Sequence, residues 1–270
     1  MSKFRTRHFG LFHRLVAYVS THLGGDRTYK MRHGLAAGMW RRGGLGFLKL
    51  RRPETEEERF LGSLDLTGKV VYDLGSFEGI LTLFFARRAG CVIAYEPNPR
   101  NYERCLDNVR LNRLTNVRVF NRGVAAEAGQ LELTLDPLMP GAASGNREIS
   151  RQISASAARA TTVPVSVVRL DSEIETLSLP APDFIKIDIE GTEFDALRGM
   201  NRTLASRGPD LFIELHGAEW PDKFANAVSV VGLLEQTGYR IYDVENRRYL
   251  TAATLDRHPP SHLYGTRGRR

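Results

Sequence analysis

The runs "DFIKIDIEG" (183–191) and "PDLFIELHG" (209–217) carry ionisable residues inside apolar stretches. Residues two apart on a strand share a face, so Lys186, Asp188 and Glu190 align on one strand and Glu214 and His216 on the next. A charge inside a buried strand is costly unless paired, and Lys186 with Glu214 is the expected structural pair. Asp188, Glu190 and His216 fall nearer the strand ends, where a reacting group could meet them. His216 is the leading candidate for a general base, because an unperturbed imidazole titrates at about 6.5. Asp188 or Glu190 would orient it, bind a substrate hydroxyl or act as the base instead. A divalent ion on Asp188, Glu190, Glu214 and His216 is the alternative chemistry; the base reading is preferred and no metal is assigned. Glu193 reads as a charge favoured by the start of a helix.

A second constellation is "VVYDLGSFEG" (70–79), an apolar strand running into two glycines. Gly75 would permit a tight turn with close backbone approach, and Gly79 would open a helix. The spacing is G-x-x-x-G, not the G-x-G-x-x-G of dinucleotide sites. Asp73 and Glu78 would oppose a pyrophosphate at the positive helix end. S-adenosylmethionine has no phosphate; carboxylates can hold its cationic groups while backbone N–H groups take its carboxylate. Glu96 ends the next apolar run, about twenty residues beyond the glycines, where a carboxylate can accept ribose hydroxyls. Asn121, in "NRGVA", is the expected polar contact on the adenine side. The expected cofactor-binding set is therefore Asp73, Gly75, Ser76, Glu78, Gly79, Glu96 and Asn121.

The elements needed to position these residues can be read from the pattern. "KVVYDLG", "CVIAYE", "NVRVFNRGV", "DFIKIDIEG" and "PDLFIELHG" read as strands. Between them lie helical stretches such as "GILTLFFARRAG" and "TEFDALRGMNRTLAS". "NPRNYERCLDNVRLN" has an Asn cap and a proline in its first turn, a strong start signal. Strands alternating with helices imply an α/β fold with a mostly parallel sheet covered on both faces. "GYRIYDVE" and "RRYLTA" read as a terminal antiparallel pair. Between two further strand-like runs, residues 137–160 read as a loop of the length used for lids or substrate elements. Lid and insertion are equally open readings.

The 270 residues include 42% hydrophobic ones, enough for a sizeable core. The expected organisation is a basic extension (1–52), a catalytic domain (53–250) and a basic tail (251–270). The net charge of +7 gathers at the ends. It comes with no zinc-finger spacing or RNA-binding signature, so no nucleic-acid partner is expected. The basic, amphipathic start lacks a signal-peptide cleavage site and allows a weak membrane-surface contact. Its four histidines, His8, His13, His22 and His33, read as surface residues. Two cysteines, Cys91 and Cys105, are too few for a disulfide framework and suit a reduced, cytoplasmic protein.

The stretches "GKVVYDLGSFEGILTLFFA", "VIAYEPNPRNYERCLDNVRLN", "VRLDS", "DFIKIDIEGTEFDALRGM" and "LFIELHG" resemble, in order, the FkbM family of S-adenosylmethionine-dependent methyltransferases. "IKIDIEGTE" is the most distinctive. The resemblance implies a Rossmann-like class I methyltransferase fold with a seven-stranded sheet. It also implies O-methylation of a hydroxyl on a sugar, glycan or secondary metabolite, with carboxylate methylation in some relatives. Many relatives carry Asn in the glycine loop, where this chain has Ser76-Phe77-Glu78.

Overall fold

A computed structural model describes residues 27–44, 53–136, 139–157 and 160–268. In chain order, β1 (Thr28–Lys30) and β2 (Trp40–Arg42) precede helix α1 (Glu56–Ser63). Then come β3 (Val70–Leu74), α2 (Ile80–Ala86), β4 (Cys91–Tyr95), α3 (Pro99–Leu111) and β5 (Val117–Phe120). An excursion follows through β6 (Gly123–Val124), β7 (Gly129–Asp136), β8 (Met139–Ser144), α4 (Arg147–Ser156) and β9 (Thr161–Val168). The chain returns by α5 (Leu170–Thr176), β10 (Phe184–Ile187), α6 (Glu193–Gly199), α7 (Asn201–Ser206) and β11 (Asp210–Glu214). Helix α8 (Trp220–Gln236), β12 (Arg240–Asp243), β13 (Arg248–Leu250) and β14 (His262–Thr266) complete it.

The main sheet has the order β13-β12-β14-β11-β10-β3-β4-β5, with β11, β10, β3, β4 and β5 parallel. Its strands are apolar on both faces. Tyr72, Ile93, Ile185 and Ile213 pack into one core, while Val71, Val92, Phe184 and Phe212 pack into the other. That continuous burial is what a sheet covered by helices on both sides requires.

The sheet has eight strands where seven were expected. The expected pair β12–β13 is present, and β14 inserts antiparallel between β11 and β12. Residues 251–270 are therefore not simply a tail, because His262–Thr266 fills an internal strand. "HLYGT" carries few β-branched or strongly apolar residues; Leu263 alone seals completely, which is why the run is faint in sequence.

The N-terminal flank and the excursion also differ from expectation. Within the expected extension, residues 27–44 contain a hairpin docked on α3. The Asn112 side chain bonds both N and O of Trp40, and Asn108 Oδ1 accepts from Arg42 N. Residues 1–26 and 45–52, and with them the proposed membrane-surface segment, lie outside the described residues. Residues 139–156, expected as loop, form β8 and α4, the helix being capped by Asn146. β8 completes a separate sheet, β6-β9-β7-β8. The small residues of "MPGAAS" hide strand periodicity, although Ile149 and Ile153 give α4 an apolar side. The helix expected after "IEG" is two, α6 and α7, divided at Met200. Among the described residues no helix is long and apolar enough to cross a membrane.

Candidate active site

β3 and β10 are the adjacent central strands. From β3 the chain steps outward one way to β4 and β5; from β10 it steps the other way to β11. Ligands of open α/β sheets bind beyond strand ends at such a reversal. The two strand ends meet closely here: Gly75 has φ +78°, and a Cβ on it would lie 1.9 Å from the Asp188 carbonyl oxygen. Beside this contact is a cavity of about 250 Å³, whose wall includes Gly75, Glu96, Asp188 and Glu190. The smaller sheet covers it with Leu131, Leu133 and Val167, and Ser144 closes another part of the wall.

Glu96 is 6% exposed, and its two oxygens accept Phe77 N at 2.8 Å and Asn98 N at 2.9 Å. Burial pushes its pKa up to about 7, against the pull of these N–H groups. These bonds tie the turn after β3, in which Phe77 is left-handed (φ 51°), to the end of β4.

Of the seven residues expected to hold a cofactor, Gly75 and Glu96 are on the cavity wall. The other five face elsewhere. Asp73 is fully buried, where it accepts the Thr82 hydroxyl at 2.6 Å and pairs with Lys186 at 3.3 Å. Ser76 and Gly79 pack on Cys105. Glu78 pairs with Arg41 of the N-terminal hairpin at 2.6 Å, a partner remote in sequence. The Asn121 amide donates to the carbonyls of Glu96 and Pro97, bracing the strand end from behind. The backbone N–H groups expected to take a carboxylate are also committed: those of Gly75 and Ser76 both donate to Tyr95 O. Tyr95, Pro97, Asn101 and Arg122 join the wall without having been anticipated. Their places at the end of β4, in the turn and first helical turn after it, and just after β5 were the available signal.

The second constellation gathers at the other end of the cavity. Lys186 is 3% exposed and pairs with Asp73 and, at 3.2 Å, with Asp188; it also donates to Gly75 O at 2.8 Å. The expected Lys186–Glu214 ion pair is not the one formed, because the side chain reaches inward to β3 rather than across to β11. Glu214 instead faces two histidines, His216 and His262, each at 3.6 Å. Burial would raise its pKa, but these two partners hold it far below the usual range. Glu190 is left-handed (φ 54°), and burial pushes its carboxyl up to about 7 although His216 opposes this.

His216 stands behind Asp188 and Glu190 rather than on the cavity wall. Burial disfavours its charge. The Glu193 hydrogen bond and the carboxylates around it win, and its pKa lies well above the imidazole range. Glu193, expected only as a helix-end charge, is fully buried. It accepts from His216 Nδ1 at 2.9 Å, Asn226 Nδ2 at 2.6 Å and Gly191 N at 2.8 Å. Nothing in the sequence paired it with His216.

The arrangement suits group transfer: a carboxylate at one end of the cavity for a polyhydroxylated ligand, and acids with an imidazole at the other. The Methyltransferase FkbM domain matches residues 73–241. The chain belongs to the FkbM methyltransferase family. The FkbM match spans β3 to β12 and so includes both constellations. Two curated relatives are methyltransferases. The hexuronic acid methyltransferase AglP of Haloferax volcanii is 26% identical over 195 residues, 71% of this chain and 72% of that protein. Methyltransferase 1 of Beauveria bassiana is 27% identical over 188 residues, 63% of this chain and 72% of that protein. Among solved structures, the methyltransferase FkbM of Methylobacillus flagellatus overlays with a TM-score of 0.47 at 21% identity, covering 76% of this chain and 45% of that one.

Proposed function

We propose that this FkbM methyltransferase transfers a methyl group from S-adenosylmethionine to a hydroxyl oxygen of a sugar, glycan or related secondary metabolite. The observation that carries the reading is a single cavity with Glu96 at one end and the acidic cluster of Asp188 and Glu190 at the other. The donor fits the residues present. Gly75 lets the ends of β3 and β10 meet beside the cavity, an approach any side chain would block, and Glu96, held by Phe77 N, Asn98 N and the Asn101 side chain, keeps acceptor capacity for a further donor. A carboxylate so placed can accept a ribose hydroxyl. When bound, the cofactor supplies a sulfonium-borne methyl, whose S–C bond breaks with its electrons left on sulfur as the new O–C bond forms.

The protein's own contribution is binding, orientation and proton removal. Holding the two partners in line supplies much of the rate. A hydroxyl must lose its proton as it is methylated, so a base within reach accelerates the step. Glu190 takes this role in preference to His216, because it lies on the cavity wall and His216 behind it. Asp188 shares the wall, and Lys186 fixes it from the other side. A carboxylate acceptor needs no such base and would be repelled by these acids; this favours a hydroxyl over the carboxylate alternative. The name of the Haloferax volcanii relative, a hexuronic acid methyltransferase, supports a sugar as the acceptor class, and a hexuronic acid offers a carboxylate beside its hydroxyls.

The test is incubation with methyl-labelled S-adenosylmethionine and a panel of sugars and uronic acids, followed by mild alkali. Label that survives alkali is an ether and supports the reading. Label released as methanol is an ester and would replace it with carboxylate methylation.

A further inference from the structure

We propose that Asp188, Glu214 and His216 form a binding site for one divalent cation of the magnesium or manganese class, directly behind the acceptor end of the cavity, whose wall Asp188 reaches. Its role in catalysis rests on the methyltransferase reading; its existence does not.

Three side chains on two neighbouring strand ends each offer one atom to a common point. These atoms, a carboxylate oxygen from Asp188 and from Glu214 and a ring nitrogen of His216, all lie within 4.8 Å of one another. His216 Nε2 is 3.7 Å from Asp188 Oδ1 and 3.6 Å from Glu214 Oε1. A cation with bonds of about 2.0–2.3 Å holds adjacent ligands roughly 2.8–3.3 Å apart and opposite ones roughly 4.0–4.6 Å apart. Shifts of well under 1 Å would therefore close the shell.

Asp188 and His216 are also anchored through their outer atoms, and Glu214 faces a second histidine on that side. Asp188 Oδ2 is held by Lys186 at 3.2 Å, which leaves Oδ1 to face inward. Glu214 Oε2 faces His262 at 3.6 Å, and His262 is itself fixed through Nδ1 by Glu245 at 2.5 Å. His216 Nδ1 is held by the fully buried Glu193, so Nε2 is the inward atom. A carboxylate behind the imidazole is the usual way a protein orients a metal-binding histidine and raises its basicity.

The inward atoms do not satisfy one another. His216 Nε2 has the oxygens of Asp188, Glu190 and Glu214 at 3.6–3.7 Å, beyond hydrogen-bond range. Lys186 and His262 face Asp188 and Glu214 from outside, so the inward oxygens share one imidazole. A divalent cation would take the place of the Nε2 proton and bind these inward oxygens directly. Two oxygens and one imidazole nitrogen suit a hard or borderline ion, with open positions for water or an acceptor oxygen. Held there, an acceptor hydroxyl would have its pKa lowered beside Glu190.

The experiment is a manganese titration of the full chain, followed by calorimetry and by electron spin-echo detection of ¹⁴N coupling. The expected result is one Mn²⁺ per chain with a nitrogen coupling, and binding weakened about tenfold or more by Asp188→Asn, Glu214→Gln and His216→Ala. The coupling should vanish in His216→Ala. Absence of saturable binding, or binding that survives all three substitutions, would overturn the site. If the variants fail to fold, the coupling in the unaltered protein decides: its absence overturns the proposal. S-adenosylhomocysteine titrated into metal-free protein keeps the two readings apart. Cofactor binding without Mn²⁺ binding sinks the cation site alone, and the converse sinks the methyltransferase reading alone.

Discussion

Lys186 and Asp73 lie opposite each other on β10 and β3, and both are sealed from water. Replacing Lys186 with Met would leave Asp73 buried with only Thr82 as a polar partner and release the Gly75 carbonyl. Loss of one partner of a buried pair costs about 3–5 kcal/mol. The Lys186→Met chain should therefore unfold at clearly lower urea; an unchanged midpoint would show that the pair contributes nothing. Glu96 gives a second prediction. With its pKa raised to about 7, it is largely protonated at pH 6 and charged at pH 8. A charged carboxylate is the better ribose acceptor, so affinity for S-adenosylhomocysteine should rise with pH across this range, by at most about tenfold. Calorimetry at three pH values checks it, and Glu96→Gln should flatten the dependence. Glu96 was legible in sequence because an acid at the end of an apolar run has few other uses. The partners of Glu78 and Glu193 were not, because Arg41 and His216 reach them through tertiary contacts with no local signature.

At the scale of elements, the site depends on how closely β3 and β10 end together. Gly75→Ala should place its Cβ on the Asp188 carbonyl and force a left-handed alanine. The backbone conformation alone costs about 1–3 kcal/mol. We expect a lower melting temperature together with loss of S-adenosylhomocysteine binding; binding at the original affinity would show that the contact is dispensable. The smaller sheet is tied to the same strand end. Ser144 Oγ donates to Glu190 O at 2.6 Å, and Asn146 Nδ2 to Gly191 O at 3.0 Å. The parallel strands and their helices were readable from alternation, because burial on both faces leaves long apolar runs. β8 was not readable, because its small residues carry no such alternation and its partner β7 supplies the pairing.

Across the whole molecule, the C-terminal segment is part of the frame. β14 bonds to β11 on one side and β12 on the other, and His262 supports Glu214 from it. A chain ending at Pro260 would lose an internal strand and expose both neighbours. It should be aggregated or lack cooperative melting by circular dichroism; a soluble, cooperatively melting truncation would show that the sheet closes without β14. The hairpin at 27–44, docked on α3 and tied to the glycine loop through Arg41–Glu78, extends the domain in the other direction. Neither flank was visible as structure in sequence, because basic, polar composition masks short strands that a large sheet or helix stabilises. The proposed function requires this fold to bind S-adenosylmethionine in the cavity lined by Gly75 and Glu96. Its most direct test is calorimetric titration of S-adenosylhomocysteine into the unaltered chain and into Glu96→Ala. Saturable one-to-one binding, weakened about tenfold or more in a folded Glu96→Ala, is predicted, on the scale of losing one charge-assisted hydrogen bond. No binding by the folded, unaltered chain, or equal binding by both, would contradict it.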